Sequence, residues 1–166
     1  MPCARPKIYP ESTPSEKFLE LLSISSLAFA GIYLYLKWEA LPGRIPTHFG
    51  ATGNPDGWGI KTTLLTLPLI GMGLYLLLSI VSRFPHLCNI PWEITQANAP
   101  AQYRIIRSLL AWLKLEMVWI FVYLEMGTVE VAMGKMASLN QFFLLLPLVV
   151  IPATIALHFI RGYRAR

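Results

Sequence analysis

Between residues 41 and 61 the chain reads Leu41-Pro-Gly-Arg-Ile-Pro-Thr-His-Phe-Gly-Ala-Thr-Gly-Asn-Pro-Asp-Gly-Trp-Gly-Ile-Lys61. This polar segment contains three prolines and five glycines, and it separates two long apolar runs. Connections of this length are usually either disordered or functional. Because turn-forming residues frame a set of charged and imidazole side chains, we interpret the segment as an ordered loop that the rest of the chain holds in place.

The composition of the whole chain indicates that lipid is its main solvent. Of the 166 residues, 55% are hydrophobic and 14% are charged, whereas about a quarter of the residues in soluble domains are charged. The net charge of +5 comes from basic residues scattered between apolar runs. This scatter is typical of a protein oriented among anionic lipids, and no stacking aromatic residues alternate with basic ones as in single-strand binders. We expect membrane lipids as partners, and no nucleic acid.

Four apolar runs are 18 to 21 residues long, about the length that a helix needs to cross the hydrocarbon. Lipid offers the backbone no hydrogen-bond partner, so each run is predicted to be helical. The predicted fold is an all-α integral membrane protein with four transmembrane helices. In order, the predicted segments are an amino-terminal segment 1–17, a first span 18–36, an outer loop 37–61, a second span 62–82, an inner loop 83–108, a third span 109–126, an outer loop 127–141, a fourth span 142–160 and a tail 161–166.

The first apolar run also resembles a signal peptide, because basic residues precede it. However, Glu20 interrupts the apolar part, and hydrophobicity continues to Leu36. Signal peptides have a shorter, uninterrupted apolar region. We therefore expect an uncleaved span.

The distribution of Lys and Arg predicts the orientation of the chain. With the amino terminus inside, nine basic residues lie in inner segments and four in outer ones. Positive residues accumulate on the cytoplasmic side. The prediction is a multi-pass protein of the bacterial cytoplasmic membrane with both termini inside and the 41–61 loop outside.

Ionisable residues inside the apolar runs form a second set of candidates, since such groups are costly in lipid and often functional. In the third run Lys114 is expected to reach the inner interface and Glu125 the outer one. Glu116 lies deeper, and a contact with His158 of the fourth run or with Lys114 is expected to accommodate it. These contacts serve either structure or function, and the sequence leaves both open.

Small residues and prolines predict how the spans pack. Gly71 and Gly73 of the second run permit close helix approach and mark a packing seam. Pro147 and Pro152 each remove an amide donor from the fourth run, so a kink is expected there.

The loop supports a binding role better than catalysis. His48 and Asp56 are acceptable zinc ligands, but two ligands are fewer than such sites use, so both are only weak metal candidates. The loop has no serine, and no hydrolase or metalloprotease motif is present. We therefore expect a non-enzymatic protein without a cofactor.

Local patterns predict how the loop is organised. Asn54-Pro55-Asp56-Gly57 is typical of a turn, and Gly53 permits a tight path before it. His48 and Asp56 are expected to fix the loop by hydrogen bonds to the backbone. Arg44 and Lys61 are expected to meet lipid phosphates or Asp56. Elsewhere, Cys3 and Cys88 match no metal spacing and are expected to be free thiols.

The inner loop is predicted to lie under the bundle. Three prolines interrupt it, after which Ala99 begins the third helix with Asn98 as its cap. An interfacial stretch and a cytoplasmic docking surface are both open interpretations.

These motifs together resemble a known family. In the outer loop they are Leu41-Pro42, Ile45-Pro46-x-His48-Phe49 and Gly53-x-Pro55-Asp56-x-x-Gly59-x-Lys61; in the inner loop they are Phe84-Pro85-His86, Asn89-Ile90-Pro91, Ile94-Thr95, Asn98 and Gln102-Tyr103-Arg104. The pattern is similar to the bacterial domain-of-unknown-function family 1648, whose loop also occurs in SdpI-type immunity proteins. The resemblance covers about residues 30 to 135.

The resemblance implies an integral membrane protein and supplies no catalytic residues. The better-understood SdpI-type relatives protect bacteria against a secreted killing peptide and relay its presence to a repressor. This chain lacks the extra helices of the larger immunity proteins, which puts both roles in doubt. The leading expectation is a protein whose outer loop binds a peptide, a lipid or a protein partner. The alternatives are an accessory subunit of a larger membrane complex, and a metal-dependent enzyme or ion-coupled carrier.

Overall fold

The computed structural model describes residues 5–166, and these are mostly helical. The prediction that Cys3 is a free thiol lies outside the described residues, whereas Cys88 is a free cysteine. The main elements are α1 (Pro14–Lys37), β1 (Arg44–Phe49), β2 (Pro55–Ile60), α2 (Thr66–Val81), α3 (Ala99–Ala132), α4 (Gln141–Leu145) and α5 (Pro147–Arg164). Short 3₁₀ turns occupy Trp38–Ala40, Lys61–Leu65 and Pro85–Leu87.

A capping box begins α1. The Thr13 hydroxyl accepts a hydrogen bond from the Glu16 amide at 3.2 Å, and the Glu16 carboxylate accepts one from the Thr13 amide at 3.3 Å. Pro14 occupies the first helical turn, where its missing amide proton costs nothing. These contacts satisfy helix-end amides that would otherwise lack partners.

Helix α3 is the central element, because α1, α2 and α5 all pack against it. Leu19 of α1 shares a buried cluster with Ala111 of α3. Gly71 of α2 faces α3, since a Cβ built on it would lie 3.2 Å from Phe121 Cβ. Gly73 has open space beside it, so the predicted seam includes Gly71 but not Gly73.

Helix α3 runs parallel to α1 and antiparallel to α2 and α5. The carboxyl end of α1, the amino end of α2 and the carboxyl end of α3 meet in one buried cluster with the hairpin. We call this end of the bundle the hairpin end. The opposite end, where residues 5–13 lie beside the start of α3, is called the terminal end. There the Tyr103 hydroxyl donates to the Pro6 carbonyl at 2.8 Å.

Three helical stretches of the described chain are long and apolar enough to cross a membrane by length and composition: Pro14–Ala40, Lys61–Val81 and Gln141–Arg164. They match three of the four predicted spans, and the span 62–82 extends one residue beyond Val81. The other predicted span, 109–126, lies inside α3, which is ten residues longer at its start and six longer at its end. Helix α3 begins at Ala99, as the inner-loop pattern predicted.

Asn98 occupies the cap position of α3, but its side chain does not bond to the helix amides. Its carboxamide oxygen instead accepts from the Thr95 amide at 2.9 Å, and its nitrogen donates to the Glu93 carbonyl at 3.1 Å. The predicted side-chain cap was therefore wrong. The same side chain stabilises the turn that leads into the helix.

The fourth apolar run is divided at Leu146 into α4 and α5. The break directly precedes Pro147, whose ring and missing amide proton disfavour a continuous helix. Pro152 lies inside α5, and the helix continues through it.

The loop between α1 and α2 contains an antiparallel β-hairpin, which the all-α prediction missed. The pairing runs from Arg44 opposite Ile60 to Phe49 opposite Pro55, with irregular register between Pro46 and Phe49. The irregularity lies next to a proline, which cannot donate to the ladder.

Candidate functional site

The hairpin is anchored on the bundle by contacts at its base and at its tip. Ile45 is fully buried in a cluster with Leu34 of α1, Leu64 before α2 and Val129 of α3. At the tip, the Gly53 carbonyl accepts a hydrogen bond from the Leu139 amide at 2.8 Å. The hairpin is therefore fixed both at its base and at its tip.

His48 and Asp56 form a cross-strand pair on the outer side of the hairpin. His48 Nδ1 contacts Asp56 Oδ1, and the two side chains are 72% and 54% exposed. The prediction that each binds the backbone was wrong, because the hairpin pairs His48 with Gly57 and so brings the His48 side chain next to Asp56. The result is a fixed polar surface that presents an imidazole and a carboxylate to solvent.

Glycines leave room for the His48 and Asp56 side chains. A Cβ on Gly57 would lie 2.9 Å from His48 Cβ, and a Cβ on Gly50 would lie 3.1 Å from Asp56 Oδ2. Further along the two strands, a Cβ on Gly59 would lie 2.8 Å from Thr47 Cγ2. Real Cβ contacts are almost never shorter than 3.0 Å. The glycine spacing of the loop motif therefore follows from the close contact between the strands.

The hairpin turn lies earlier than the sequence pattern predicted. The Gly53 amide donates to the Gly50 carbonyl at 2.8 Å, and the Gly50 amide donates to the Asn54 carbonyl at 2.9 Å. Gly53 has a φ of 82°, which glycine adopts without a steric penalty. Pro55, Asp56 and Gly57 belong to β2, so the predicted turn at 54–57 was wrong.

Lys61 binds the scaffold and not Asp56. Its Nζ donates to the Trp38 carbonyl at 3.0 Å and lies 4.8 Å from the centroid of the Trp38 ring. Arg44 is exposed at the base of β1. Lys61 was predicted to meet lipid phosphates or Asp56, but it stabilises the base of the hairpin instead. Arg44, for which the same contacts were predicted, lies on the hairpin surface.

The hairpin offers His48 and Asp56 as potential metal ligands, fewer than the three or four that protein zinc sites use. Residues 5–166 contain no group of three or more His, Cys, Asp or Glu side chains that could hold a metal ion. The geometry of the pair fits hydrogen bonding to a partner.

Inside the bundle, Lys114 forms an ion pair that was not predicted from the sequence. Its Nζ contacts the Glu20 carboxylate of α1, donates to Ser79 Oγ of α2 at 3.2 Å and lies 5.3 Å from the Tyr75 ring centroid. The Lys114 side chain is 5% exposed, so the expected extension to the interface was wrong. The signal was present, because Glu20 is an acid inside an apolar run.

Glu116 and His158 belong to one hydrogen-bonded chain between α3 and α5, but they do not bond directly. The Thr154 hydroxyl donates to Glu116, and the Thr154 carbonyl accepts from His158 Nδ1 at 2.9 Å. His158 Nε2 then accepts from Ser108 Oγ at 3.1 Å. The expected contact with His158 is thus replaced by one through Thr154, and Lys114 is not a partner of Glu116.

Glu125 is 1% exposed, so the prediction that it reaches the outer interface was wrong. Its Oε1 is buried without a hydrogen-bond partner in the described part of the chain. One turn beyond it, Glu130 accepts a hydrogen bond from the Tyr33 hydroxyl at 2.6 Å. This bond, with the nearby Lys135 ammonium, lowers the pKa of the partly buried Glu130 carboxyl.

At the terminal end, the inner loop packs against the start of α3. The inner-loop residues Ile90 and Ile94 share a buried cluster with Tyr103 of α3. The Gln102 carboxamide donates to the Gly162 carbonyl of α5 at 2.8 Å. The inner-loop motif therefore holds the start of α3 against the end of α5.

Comparison with known proteins gives a family but no activity. An uncharacterized protein of Archaeoglobus fulgidus is 33% identical over 87 residues, which are 48% of this chain and 48% of that protein. The chain thus matches about half the length of this relative. No solved structure matches the chain, and the relation to SdpI-type immunity proteins stays a prediction.

The model of a family described as "Domain of unknown function (DUF1648)" matches residues 26–72. That segment begins in α1, includes the whole hairpin and ends in α2, so the matched unit is the hairpin with its two supporting helices. Residues 26–72 of this chain therefore match the DUF1648 family, as the loop motif indicated.

Proposed function

We propose that this chain is a non-enzymatic membrane protein with four spans. It binds a peptide or protein partner through the hairpin, which lies at the external face of the membrane. The observation that carries the proposal is the exposed His48–Asp56 pair on a hairpin that is anchored at both ends. A fixed backbone reduces the entropy lost on binding. Solvent-exposed polar side chains on such a framework are well placed to select a partner.

The topology proposed with it makes α3 the fourth span. Three apolar helices pack against α3, and its side chains Gln102, Lys114 and Glu125 are buried among them. Membrane helices carry ionisable groups on such protein-facing sides. With four spans, both termini lie on one side, and the excess of basic residues supports a cytoplasmic location for that side. The hairpin is then external, and a bacterial cytoplasmic membrane fits this orientation.

Site-specific photocrosslinking in intact cells tests the binding proposal. A photoreactive residue is placed at Thr52 or Asn54, which are exposed beside the turn. A discrete adduct of defined mass is expected from these positions. The variants His48→Ala and Asp56→Ala should each lower its yield by at least about fivefold, since a hydrogen bond to a charged partner contributes about 1.5–3 kcal/mol.

Two controls separate recognition from folding. Thr47→Ser keeps the hydroxyl next to the pair and should retain the adduct. Thermal unfolding of the purified variants should remain within a few degrees of the parent, because the His48–Asp56 contact is exposed and such pairs contribute little to stability. Unchanged crosslinking in both alanine variants, with the protein inserted and folded, would contradict the proposal.

A second candidate function, an accessory subunit of a larger complex, is favoured by one observation. Helix α3 is covered on three sides, but Trp112 and Trp119 are 43% and 56% exposed. They are about two turns apart and so share one face. Replacing both with Leu keeps that face apolar but removes the two indole rings. If the parent protein extracts in a higher-mass complex and the double variant does not, the subunit role is supported. If both extract only as monomers, the subunit role is contradicted.

A further inference from the structure

A cavity of about 490 Å³ lies between α1, α2 and α3 near the terminal end of the bundle. It is separate from the hairpin, which lies at the opposite end. Its walls combine charged and hydroxyl side chains with the apolar residues Leu21, Ile24 and Ala111. A mixed lining of this kind fits an amphipathic ligand better than a wholly polar or wholly apolar one.

The charges around the cavity are unequal. Four basic residues and two acidic residues line it. Both acids are already paired, Glu16 with Arg107 and Glu20 with Lys114. The two remaining cations are Lys17 at the start of α1 and Arg83 just after α2.

These two cations are available to a ligand. Lys17 and Arg83 are both exposed, and neither has an ion-pair partner among residues 5–166. They lie at the ends of membrane-spanning helices, where lipid headgroups are found. The site therefore has an excess of positive charge at headgroup depth.

The cavity is also accessible from the side. Helices α1 and α2 both pack extensively on α3 but make few contacts with each other. The residues beside this gap, Leu21 and Ile24, are 64% and 48% exposed. An acyl chain can therefore lie along α1 while the headgroup enters the polar part of the cavity.

We propose that this cavity binds the phosphate of an anionic phospholipid, with Lys17 and Arg83 as the recognising cations. Arg is suited to phosphate by its planar set of donors, and Lys acts as a point charge. The pair of the buried Lys114 with Glu20 forms the inner limit of the site, and Ser79 and Ser82 add hydroxyl groups. Binding here holds α1 and α2 together where their own contacts are few.

Native mass spectrometry of the full chain tests the site. Protein in detergent is given equal amounts of phosphatidylglycerol and phosphatidylcholine. We expect phosphatidylglycerol to be retained preferentially, and the double variant K17Q/R83Q to reduce that preference by roughly tenfold or more, since each cation near a membrane surface contributes about a fivefold factor. The double variant K17R/R83K should retain it.

The matched control is the double variant R161Q/R164Q. It removes two cations from α5 at the same end of the bundle but outside the cavity, and the preference should change less than twofold. Three results would overturn the proposal: equal retention of both lipids, an equal loss in the control variant, or full displacement of phosphatidylglycerol by inorganic phosphate. The last result would identify a site for a soluble anion instead of a lipid.

Discussion

Helix α3 and the three helices around it differ in how much of their surface is buried and in the charged side chains that they carry. In the apolar windows of α1, α2 with its preceding turn, and α4–α5, only 22%, 11% and 6% of the residues are buried. Helix α3 instead buries Lys114, Gln102 and Glu125 at 4%, 1% and 1% exposure. Helices in contact with lipid must be apolar, whereas a helix covered by other helices can carry charge if the neighbours supply partners. Hydropathy therefore detects the outer helices and not the central one.

Removal of the Lys114 ammonium should produce the largest change in stability. Lys114→Met leaves the Glu20 carboxylate without its cation, and loss of one partner of a buried pair costs about 3–5 kcal/mol. Glu20 is 35% exposed, so the lower part of that range is expected. Unfolding of the purified protein by a denaturing detergent measures it.

The control for that variant is Lys135→Met. Lys135 pairs with Glu130 at 3.6 Å, and its side chain is 49% exposed. An exposed pair contributes about 0–1 kcal/mol, so little change is expected. Equal effects of the two substitutions would show that α3 is no better shielded inside the bundle than at its exposed end.

The two glycines of α2 sharpen the comparison, because one faces α3 and the other faces outward. Gly71→Leu places a side chain where a Cβ already lies 3.2 Å from Phe121, and overpacking of this kind costs about 1–3 kcal/mol. Gly73→Leu enters open space and should be neutral or slightly stabilising. The same unfolding measurement applies, and an equal loss in both variants would contradict the packing of α2 on α3.

The smallest effect is expected at Glu125, and its sign is informative. Its buried Oε1 has no partner in the described residues. Replacing an unsatisfied buried polar group by an apolar one is nearly neutral or stabilising, by up to roughly 1 kcal/mol. Glu125→Leu should therefore leave the unfolding midpoint unchanged or raise it. A clear destabilisation would mean that Glu125 has a partner that this chain does not supply.

The sequence was sufficient for the parts of the fold that depend on local pattern. The apolar helices at 18–36, 62–82 and 142–160 were predicted because a long apolar run requires only a sufficient length and a lipid solvent. The start of α3 at Ala99 was predicted from turn chemistry. Its full extent to Ala132 was not, because charged residues at both ends conceal a helix that protein contacts stabilise.

The non-local features could not be predicted from one sequence. Strand pairing places Arg44 opposite Ile60, whereas the same prolines and glycines in a single segment indicate only turns. The partner of Lys114 is 94 residues away, and no spacing rule connects two helices whose relative depth is unknown. At the candidate site, residue types and exposure were predictable, but the His48–Asp56 contact required the hairpin register.

Cysteine labelling across α3 tests the central claim most directly, namely that this shielded helix crosses the membrane. Leu87 and Met136 flank α3 and are 73% and 40% exposed. Leu87→Cys and Met136→Cys are introduced singly into a variant in which Cys3 and Cys88 are replaced by Ser. An impermeant maleimide added to intact cells should label the Met136 position and should reach the Leu87 position only after permeabilisation. Labelling of both positions from the same side would show that α3 does not span the membrane and would contradict the account.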